Sequence, residues 1–199
     1  MTLAGDPPGT PPRLILASAS PRRLELLSRI GVTPDEIIPA EVDESPRKGE
    51  RPVDYARRMA ADKAKAIASP GALILAADTV VAAGRLILPK AENESDARRA
   101  LELLSGRRHR VLSAVTLVDP HGQARHRLST SIVTFKRLSE EELQAYLDSH
   151  EWQGKAGGYA IQGRAEALIR SLSGSHSAVM GLPLYETRIL LRAAGYPLG

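Results

Sequence analysis

The chain has 199 residues, a formal net charge of +4 and 43% apolar residues, enough for the core of one domain or of two small lobes that share a cleft. It has no cysteine, which excludes disulfides, thiolate metal sites and a cysteine nucleophile and fits a reducing compartment. No apolar run approaches the roughly 20 residues of a membrane span, and the N-terminus does not resemble a secretion signal, so we expect a cytoplasmic protein.

The first stretch of the chain predicts a flexible tail. Residues 1–13 include four prolines and two glycines and hardly any bulky apolar side chain. Residues 14–199 are expected to form one folded domain. Residues 14–17 are short and apolar enough for a buried strand, and the leucine spacing after them predicts a helix over residues 21–31.

A serine and arginine motif lies where the predicted strand passes into the predicted helix. Ser20 is a good N-cap, and Pro21 suits the first helical position. Arg22 and Arg23 then fall in the first turn, where the helix dipole is already positive. A bound anion would remove this conflict, because backbone N–H groups, the Ser18 and Ser20 hydroxyls and both guanidinium groups would converge on it. An exposed arginine pair on an ordinary helix is the alternative.

Three acids, Glu41, Asp43 and Glu44, lie in the polar connection over residues 34–46. A carboxylate cluster on a loop can hold a hard divalent cation. Solvated loop acids are the alternative.

Lys63 lies on the apolar face of the next predicted helix, over residues 52–69. It is four residues from both Met59 and Ile67, so its stem should point inward with them. A lysine in this position either reaches the rim of the core or faces an anion in a cleft.

Asp78 and Thr79 follow the apolar run of residues 73–77, which predicts a buried strand. A hairpin over residues 80–88 is predicted next, so Asp78 has no helix to cap. Open α/β folds place reactive groups at the C-terminal ends of buried strands, which favours a functional carboxylate over a helix cap.

The second half of the chain has one further distinctive segment, residues 155–163. Its three glycines around one amide side chain predict a tight turn or a close approach to another group, with a purely structural turn as the alternative. Before it, a helix capped by Asn93 or Ser95 is expected, followed by strands over residues 110–118 and 127–138.

Together these features indicate phosphate chemistry on a small molecule with a readable head group. The motifs are, in chain order, Ser18-x-Ser20-Pro21-Arg22-Arg23, Asp43-Glu44, Asp62-Lys63-Ala64, Ala77-Asp78-Thr79, Lys90, Ser105-Gly106 with Val111, Lys155-Ala156-Gly157-x-Tyr159-x-Ile161-Gln162-Gly163 and Gly181-Leu182-Pro183-Leu184. In this order they resemble the Maf family of nucleoside triphosphate pyrophosphatases, from residue 14 to the end of the chain.

The resemblance implies an α/β fold of the Maf and inosine-triphosphatase type, with a long mixed β-sheet flanked by helices and two lobes around a central cleft. It also implies hydrolysis of a nucleoside triphosphate between the α and β phosphates, with Mg²⁺ or Mn²⁺, and it suggests a homodimer. Thr79 and Gln162 are similar to the family branch that acts on dTTP and UTP. Ala91 departs from the pattern, since the family has proline after the lysine at Lys90, and the change is expected to loosen the loop that carries Lys90.

The candidate residues divide into a phosphate end and a base end. Asp78 is expected to accept a proton from the attacking water or to hold the metal, with Glu44 as the second metal ligand. The groups expected to contact the phosphates are Ser18, Ser20, Arg22, Arg23, Lys63, Lys90 and Lys155. Arg22 is also expected to affect which nucleotide fits. Gln162 and Thr79 are expected to read uracil or thymine, whose N3–H donor and flanking carbonyls match an amide and a hydroxyl.

Two other functions compete with this prediction. One is a house-cleaning pyrophosphatase for modified or non-canonical nucleotides. The other is a regulator of cell division that binds a nucleotide or a nucleic acid without turnover, which the excess of 27 Lys and Arg over 23 Asp and Glu supports. An aromatic content of only 4% and the lack of a continuous basic stripe argue against it, so neither a nucleic-acid nor a membrane partner is expected.

Overall fold

A mixed sheet of seven strands crosses the protein in the computed structural model, which describes residues 12–198. The strands are β1 (Leu14–Leu16), β2 (Glu36–Ile37), β3 (Leu73–Ala83), β4 (Leu86–Leu88), β5 (Arg108–Val118), β6 (Ala124–Phe135) and β7 (Ile169–Ser173). The helices are α1 (Pro21–Ser28), α2 (Pro52–Lys65), α3 (Glu94–Leu104), α4 (Glu140–Asp148), α5 (His176–Met180) and α6 (Leu184–Ala193). None of these helices has the length and the apolar composition that a membrane crossing requires.

The sheet has the order β2-β1-β3-β5-β6-β7, and β4 pairs with β3. β1 runs parallel to β2 and β3, and the other pairs are antiparallel. The predicted mixed sheet with flanking helices is therefore confirmed.

An opening along one edge of β3 makes room for a cleft. β1 pairs with β3 only at residues 73–75, and β4 pairs with it only at residues 81–83. Between them, residues 76–80 pair with β5 on the far edge, while on the near edge no strand of residues 12–198 covers them. The C-terminal end of β1, which leads into Ser18, lies beside this opening.

The alternation of β3 sends neighbouring residues to opposite faces of the sheet. The odd-numbered residues from Leu73 to Val81, apart from Thr79, belong to the larger core cluster. The even-numbered apolar residues pack with the inner face of α2. Asp78 therefore lies on the α2 side of the sheet and Thr79 on the other, and both lie at the opening.

The prediction that Asp78 lies at the C-terminal end of a strand is wrong. β3 continues without a break to Ala83, and its turn comes at Gly84, where φ is +61°. Asp78 and Thr79 pair with β5 in the middle of the strand. The strand continues because the β-branched residues after Asp78 suit a buried strand and β5 supplies a partner along the whole stretch.

Other boundaries also differ from prediction. α2 ends at Lys65 and not near residue 69, and the sequence pattern does not indicate β2, β7 or α5, which are short or mostly exposed. Asn93 is the cap of α3, since its side chain accepts from the Asp96 N–H. The predicted tail over residues 1–13 lies outside the described residues except at its end. There the backbone carbonyl of Arg13 accepts a hydrogen bond from the Leu73 N–H.

A buried aromatic cluster fastens the glycine-rich segment to β5. His109 is 3% exposed, and its Nε2 lies 2.8 Å from the Tyr159 hydroxyl oxygen. Phe135 packs against both rings, at 5.7 Å from His109 and 5.0 Å from Tyr159 between ring centroids. Burial lowers the pKa of His109 to about 4, so the ring is neutral in the folded protein at pH 7.

We expect His109 to make stability fall in acid. In the unfolded chain its pKa returns to about 6.5, so the unfolded state binds the proton first and stability drops as the pH falls from about 6.5 towards 4. His109→Gln should remove this component, on the order of 3 kcal/mol, from the pH dependence of the free energy of unfolding. His121→Gln, in the exposed β5–β6 turn, is the control and should keep it. Parallel pH profiles for the parent and His109→Gln would contradict the assignment.

Candidate active site

The residues expected from the sequence to act in catalysis, metal binding or substrate binding all line one cavity of about 430 Å³ at the opening in the sheet, whereas Glu41 and Asp43, the other two acids of the loop before α2, do not line it. The expected residues that line it are Ser18, Ser20, Arg22, Arg23, Glu44, Lys63, Asp78, Thr79, Lys90, Lys155 and Gln162. This volume lies in the usual range for small-molecule sites, about 300–1,000 Å³.

Lys63 is the centre of the charged part of the cavity. It is 7% exposed, on the inner face of α2, and its Nζ lies 2.6 Å from an Asp78 carboxylate oxygen and 2.6 Å from a Glu44 carboxylate oxygen. The second Glu44 oxygen accepts from the Lys90 Nζ, also at 2.6 Å. Helix α2, strand β3 and two loops therefore meet in one ion cluster, in which the inward-pointing lysine predicted from helix spacing is confirmed.

Glu44 is held as an anion by its two lysine partners. Burial alone would raise its pKa, but the hydrogen bonds from Lys63 and Lys90 outweigh burial and lower the pKa to about 2. α2 also fixes the loop that carries Glu44, because the Tyr55 hydroxyl donates to the Glu44 backbone carbonyl at 2.6 Å and Arg58 donates to the Ser45 carbonyl at 3.1 Å.

The Arg23 guanidinium group is fixed by hydrogen bonds to two other residues of the protein. Its Nε donates to the Gly181 carbonyl at 3.0 Å and its Nη1 donates to the Ser18 hydroxyl at 2.8 Å. The Ser18 hydroxyl also accepts from the Ser20 N–H at 3.2 Å. Ser20 occupies the N-cap position of α1, but its own hydroxyl makes no capping bond, so the predicted side-chain cap is wrong. The Ser20 hydroxyl is left for the cleft.

Among the five cations that line the cavity, Arg22 and Lys155 have no ion pair with a carboxylate and few other partners in the part of the chain that the structure describes. The Arg22 side chain has no hydrogen bond or ion pair within residues 12–198, and burial lowers its pKa. Lys155 donates to the Gln153 carbonyl at 2.8 Å. Its pKa is lowered by burial and then by the positive charge of Arg22. An anion between Arg22 and Lys155 would relieve both effects.

The glycine-rich segment packs tightly against the loop that carries Lys90. Gly157 has φ of +69°, and a Cβ there would lie 2.8 Å from a Val81 methyl group, so this position requires glycine. The Gly157 N–H donates to the Pro89 carbonyl, and the Ala91 N–H donates to the Lys155 carbonyl, both at 3.1 Å. Ala91 supplies an N–H that proline lacks, and its bond to the Lys155 carbonyl opposes the loosening expected from the loss of proline.

The two residues expected to read the base, Thr79 and Gln162, also line the cavity. The Thr79 hydroxyl lies 2.8 Å from the hydroxyl of Ser113, its cross-strand partner on β5. The Gln162 amide lines the cavity and has no hydrogen-bond partner among residues 12–198.

Two oxygen donors in the cleft suit a hard divalent cation, namely the Glu44 and Asp78 carboxylates. No group of three or more acidic, histidine or cysteine side chains within residues 12–198 could hold a metal ion alone. Mg²⁺ is commonly held by one or two carboxylates together with substrate phosphates, and the Glu44 and Asp78 pair fits that pattern.

The family assignment follows from a comparison with known families. The family model described as "Maf-like protein" matches residues 13–194. The chain belongs to the Maf family. Curated relatives cover nearly its whole length, so the resemblance inferred from the motifs is confirmed.

Three of these relatives are named dTTP/UTP pyrophosphatase. The protein of Novosphingobium aromaticivorans is 62% identical over 97% of this chain and 98% of its own. That of Zymomonas mobilis is 62% identical over 93% of each chain. That of Rhodospirillum rubrum is 56% identical over 98% of this chain and 95% of its own.

The solved structures that match this chain have low sequence identity to it. A HAM1 protein from Coxiella burnetii is 17% identical, with a TM-score of 0.49 over 92% of this chain and 99% of its own. A nucleoside-triphosphatase, dITP/XTP pyrophosphatase, from Mycobacterium abscessus is 21% identical, with a TM-score of 0.45 over 93% and 98% of the two chains.

The motifs did not indicate three supporting groups in this Maf protein. They are the Tyr55 hydroxyl, the Gly181 carbonyl and the Ser113 hydroxyl. Tyr55 lies four residues before Met59 on the buried face of α2, and Ser113 interrupts an apolar strand, so a polar group within an apolar pattern was the available signal. Gly181 belongs to the Gly181-Leu182-Pro183-Leu184 motif, but nothing in that motif indicated its contact with Arg23, which is 158 residues away in the chain.

We expect Lys63→Met to destabilise the protein by about 3 kcal/mol, because Glu44 and Asp78 would lose the ammonium group between them. Urea unfolding at pH 7 measures this loss, and Lys63→Met combined with Asp78→Asn should recover part of it. Lys65→Met removes an exposed lysine from the same helix and should change stability by less than about 0.5 kcal/mol. A Lys63→Met variant as stable as the parent would show that the cluster has no net structural role.

Proposed function

We propose that this Maf protein hydrolyses dTTP and UTP to the monophosphate and pyrophosphate. The observation that carries the proposal is the cleft itself, in which the Lys63 cluster and further cations share one cavity with Thr79 and Gln162. Phosphoryl transfer depends mainly on positioning and charge stabilisation, and cations around a carboxylate supply both. The names of the curated relatives support the same substrates.

Asp78 is the proposed catalytic carboxylate. In the reaction, water attacks phosphorus, the bridging P–O bond between the α and β phosphates breaks, and pyrophosphate leaves while the water loses a proton. Asp78 accepts that proton or holds the metal. Glu44, kept anionic by Lys63 and Lys90, completes the carboxylate pair. A divalent cation such as Mg²⁺ or Mn²⁺, held by Glu44 and Asp78, would add positive charge and favour ionisation of a bound water.

The remaining polar groups of the cavity bind the triphosphate. Ser18 and Arg23 form a fixed pair at the start of α1, where the helix dipole also favours an anion. The Ser20 hydroxyl makes no capping bond, Arg22 has no partner within residues 12–198, and Lys155 is bonded only to the Gln153 carbonyl. These three groups can bind phosphate oxygens without breaking an ion pair. Lys90 joins them at the rim, bound to Glu44.

The proposed base site uses Thr79 and Gln162, with Arg22 close enough to influence the fit. Uracil and thymine present an N3–H donor between two carbonyl acceptors. A site that hydrogen-bonds these groups rejects a base that leaves the polar groups of the site unpaired. We also propose, from the sequence analysis, that the protein is cytoplasmic and forms a homodimer.

Asp78→Asn should lower kcat for UTP and dTTP by about a hundredfold or more, because asparagine neither accepts the proton nor carries charge for a metal. Pyrophosphate release with Mg²⁺ or Mn²⁺ measures the effect. Asp54→Asn is the matched control, since Asp54 pairs with Arg51 at the start of α2 and does not line the cavity. Near-parental turnover by Asp78→Asn on every nucleoside triphosphate would refute the mechanism.

Gln162→Glu should lower kcat/KM for UTP and dTTP by about tenfold, because glutamate loses the amide donor and repels the base carbonyls. A panel of UTP, dTTP, CTP, GTP and modified nucleotides, assayed by pyrophosphate release, measures the change in preference. Gln153→Glu alters the charge of the neighbouring turn without touching the cavity and should leave preference unchanged. Equal parental rates on UTP and GTP, or a preference unaltered in Gln162→Glu, would contradict the base site.

A further inference from the structure

A chain of three oxygen atoms leads from helix α5 to the cavity. The Ser113 hydroxyl lies 2.5 Å from the Ala178 backbone carbonyl and 2.8 Å from the Thr79 hydroxyl. Ser113 is fully buried, at 0% exposure, and faces Thr79 across the β3–β5 pair. Thr79 lines the cavity. The Ala178 carbonyl, the Ser113 hydroxyl and the Thr79 hydroxyl form what we call the hydroxyl relay.

The protons of the hydroxyl relay can be placed in only one order. A carbonyl accepts and cannot donate, so Ser113 must give its single hydroxyl proton to Ala178. The Ser113 oxygen then has only lone pairs for Thr79, and Thr79 must donate its own proton to Ser113. With that proton used, the Thr79 oxygen presents only lone pairs to the cavity.

We propose that Ser113 is a positioning residue for substrate choice: it fixes Thr79 as a hydrogen-bond acceptor that selects pyrimidines carrying a proton on N3. This inference rests on the proposed function. Uracil and thymine have the N3–H that such an acceptor needs, whereas cytosine presents a lone pair at N3. A cytosine base would set two lone pairs against each other and leave both groups unpaired.

Gln162 cannot supply this discrimination by itself. An amide carries a donor and an acceptor, and the Gln162 amide has no hydrogen-bond partner among residues 12–198 that would fix which end faces the base. Rotation about its terminal bond exchanges the two ends, so the amide can match either uracil or cytosine. The fixed polarity in the site therefore comes from Thr79 and, through it, from Ser113.

Ser113→Ala is the direct test. Without Ser113 as acceptor, the Thr79 hydroxyl can turn its proton towards the cavity and donate to N3 of cytosine. The ratio of kcat/KM for UTP to that for CTP should fall by about tenfold, with an absolute rise in kcat/KM for CTP. A rise on CTP is a result that general damage to the fold does not produce.

Two further variants separate the hydroxyl relay from a structural effect. Ser131→Ala is the matched control, because Ser131 is also a fully buried serine and bonds Ser175, the N-cap of the same helix α5. It should leave the UTP to CTP ratio unchanged. Thr79→Val removes the acceptor, so adding Ser113→Ala to Thr79→Val should change the ratio no further.

Each outcome decides the inference. A UTP to CTP ratio that survives Ser113→Ala while Thr79→Val lowers it would overturn the hydroxyl relay and leave the proposed function standing. An equal loss on UTP and CTP in Ser113→Ala, or the same change of ratio in Ser131→Ala, would also overturn it. Absence of pyrophosphate release from UTP and dTTP by the parent protein would overturn the proposed function and the relay together.

Discussion

The rest of the site depends on the ion pairs that the buried ammonium group of Lys63 makes with two carboxylates. Removing a charge from water is costly, so a buried lysine requires close partners of opposite charge. Asp78 from β3 and Glu44 from the loop before α2 both supply one at 2.6 Å. Since the three residues come from separate elements, the ion cluster sets the distance between helix, sheet and loop, and the shape of the cleft follows from it.

The break between β1 and β4 along β3 explains how one cleft can use both faces of a sheet. Neighbouring strand residues point in opposite directions, so Asp78 and Thr79 would ordinarily face separate compartments. Here residues 76–80 have no strand on one edge, and a ligand can reach around that edge to both faces. The charged cluster occupies the α2 side, and Thr79, backed by Ser113 and α5, occupies the other. Adjacent positions in the chain thereby serve opposite ends of a proposed nucleotide.

Local patterns in the sequence indicated which charged side chains meet in the cavity, but they did not indicate every element around it. Lys63 on an apolar helix face and the acid after residues 73–77 are visible in a window of a few residues, and both side chains lie where the charge argument requires. Strand β7 has mostly exposed residues and is held by pairing with β6, which leaves little local signal. The bond from Arg23 to the Gly181 carbonyl depends on tertiary contact alone, so no local pattern reveals it.

The charges of the cavity show which cations the protein has already satisfied and which it has not. Five cationic side chains line the cavity against two carboxylates, Glu44 and Asp78. The carboxylates engage Lys63 and Lys90, and Arg23 is bonded to neutral oxygens. Arg22 has no partner within residues 12–198 and its pKa is lowered by burial, while Lys155 is bonded only to the Gln153 carbonyl and its pKa is lowered by burial and by the charge of Arg22. Excess positive charge in a partly buried cleft is unfavourable, and a bound polyanion would offset it, so the proposed triphosphate would neutralise the charge that the protein leaves uncompensated.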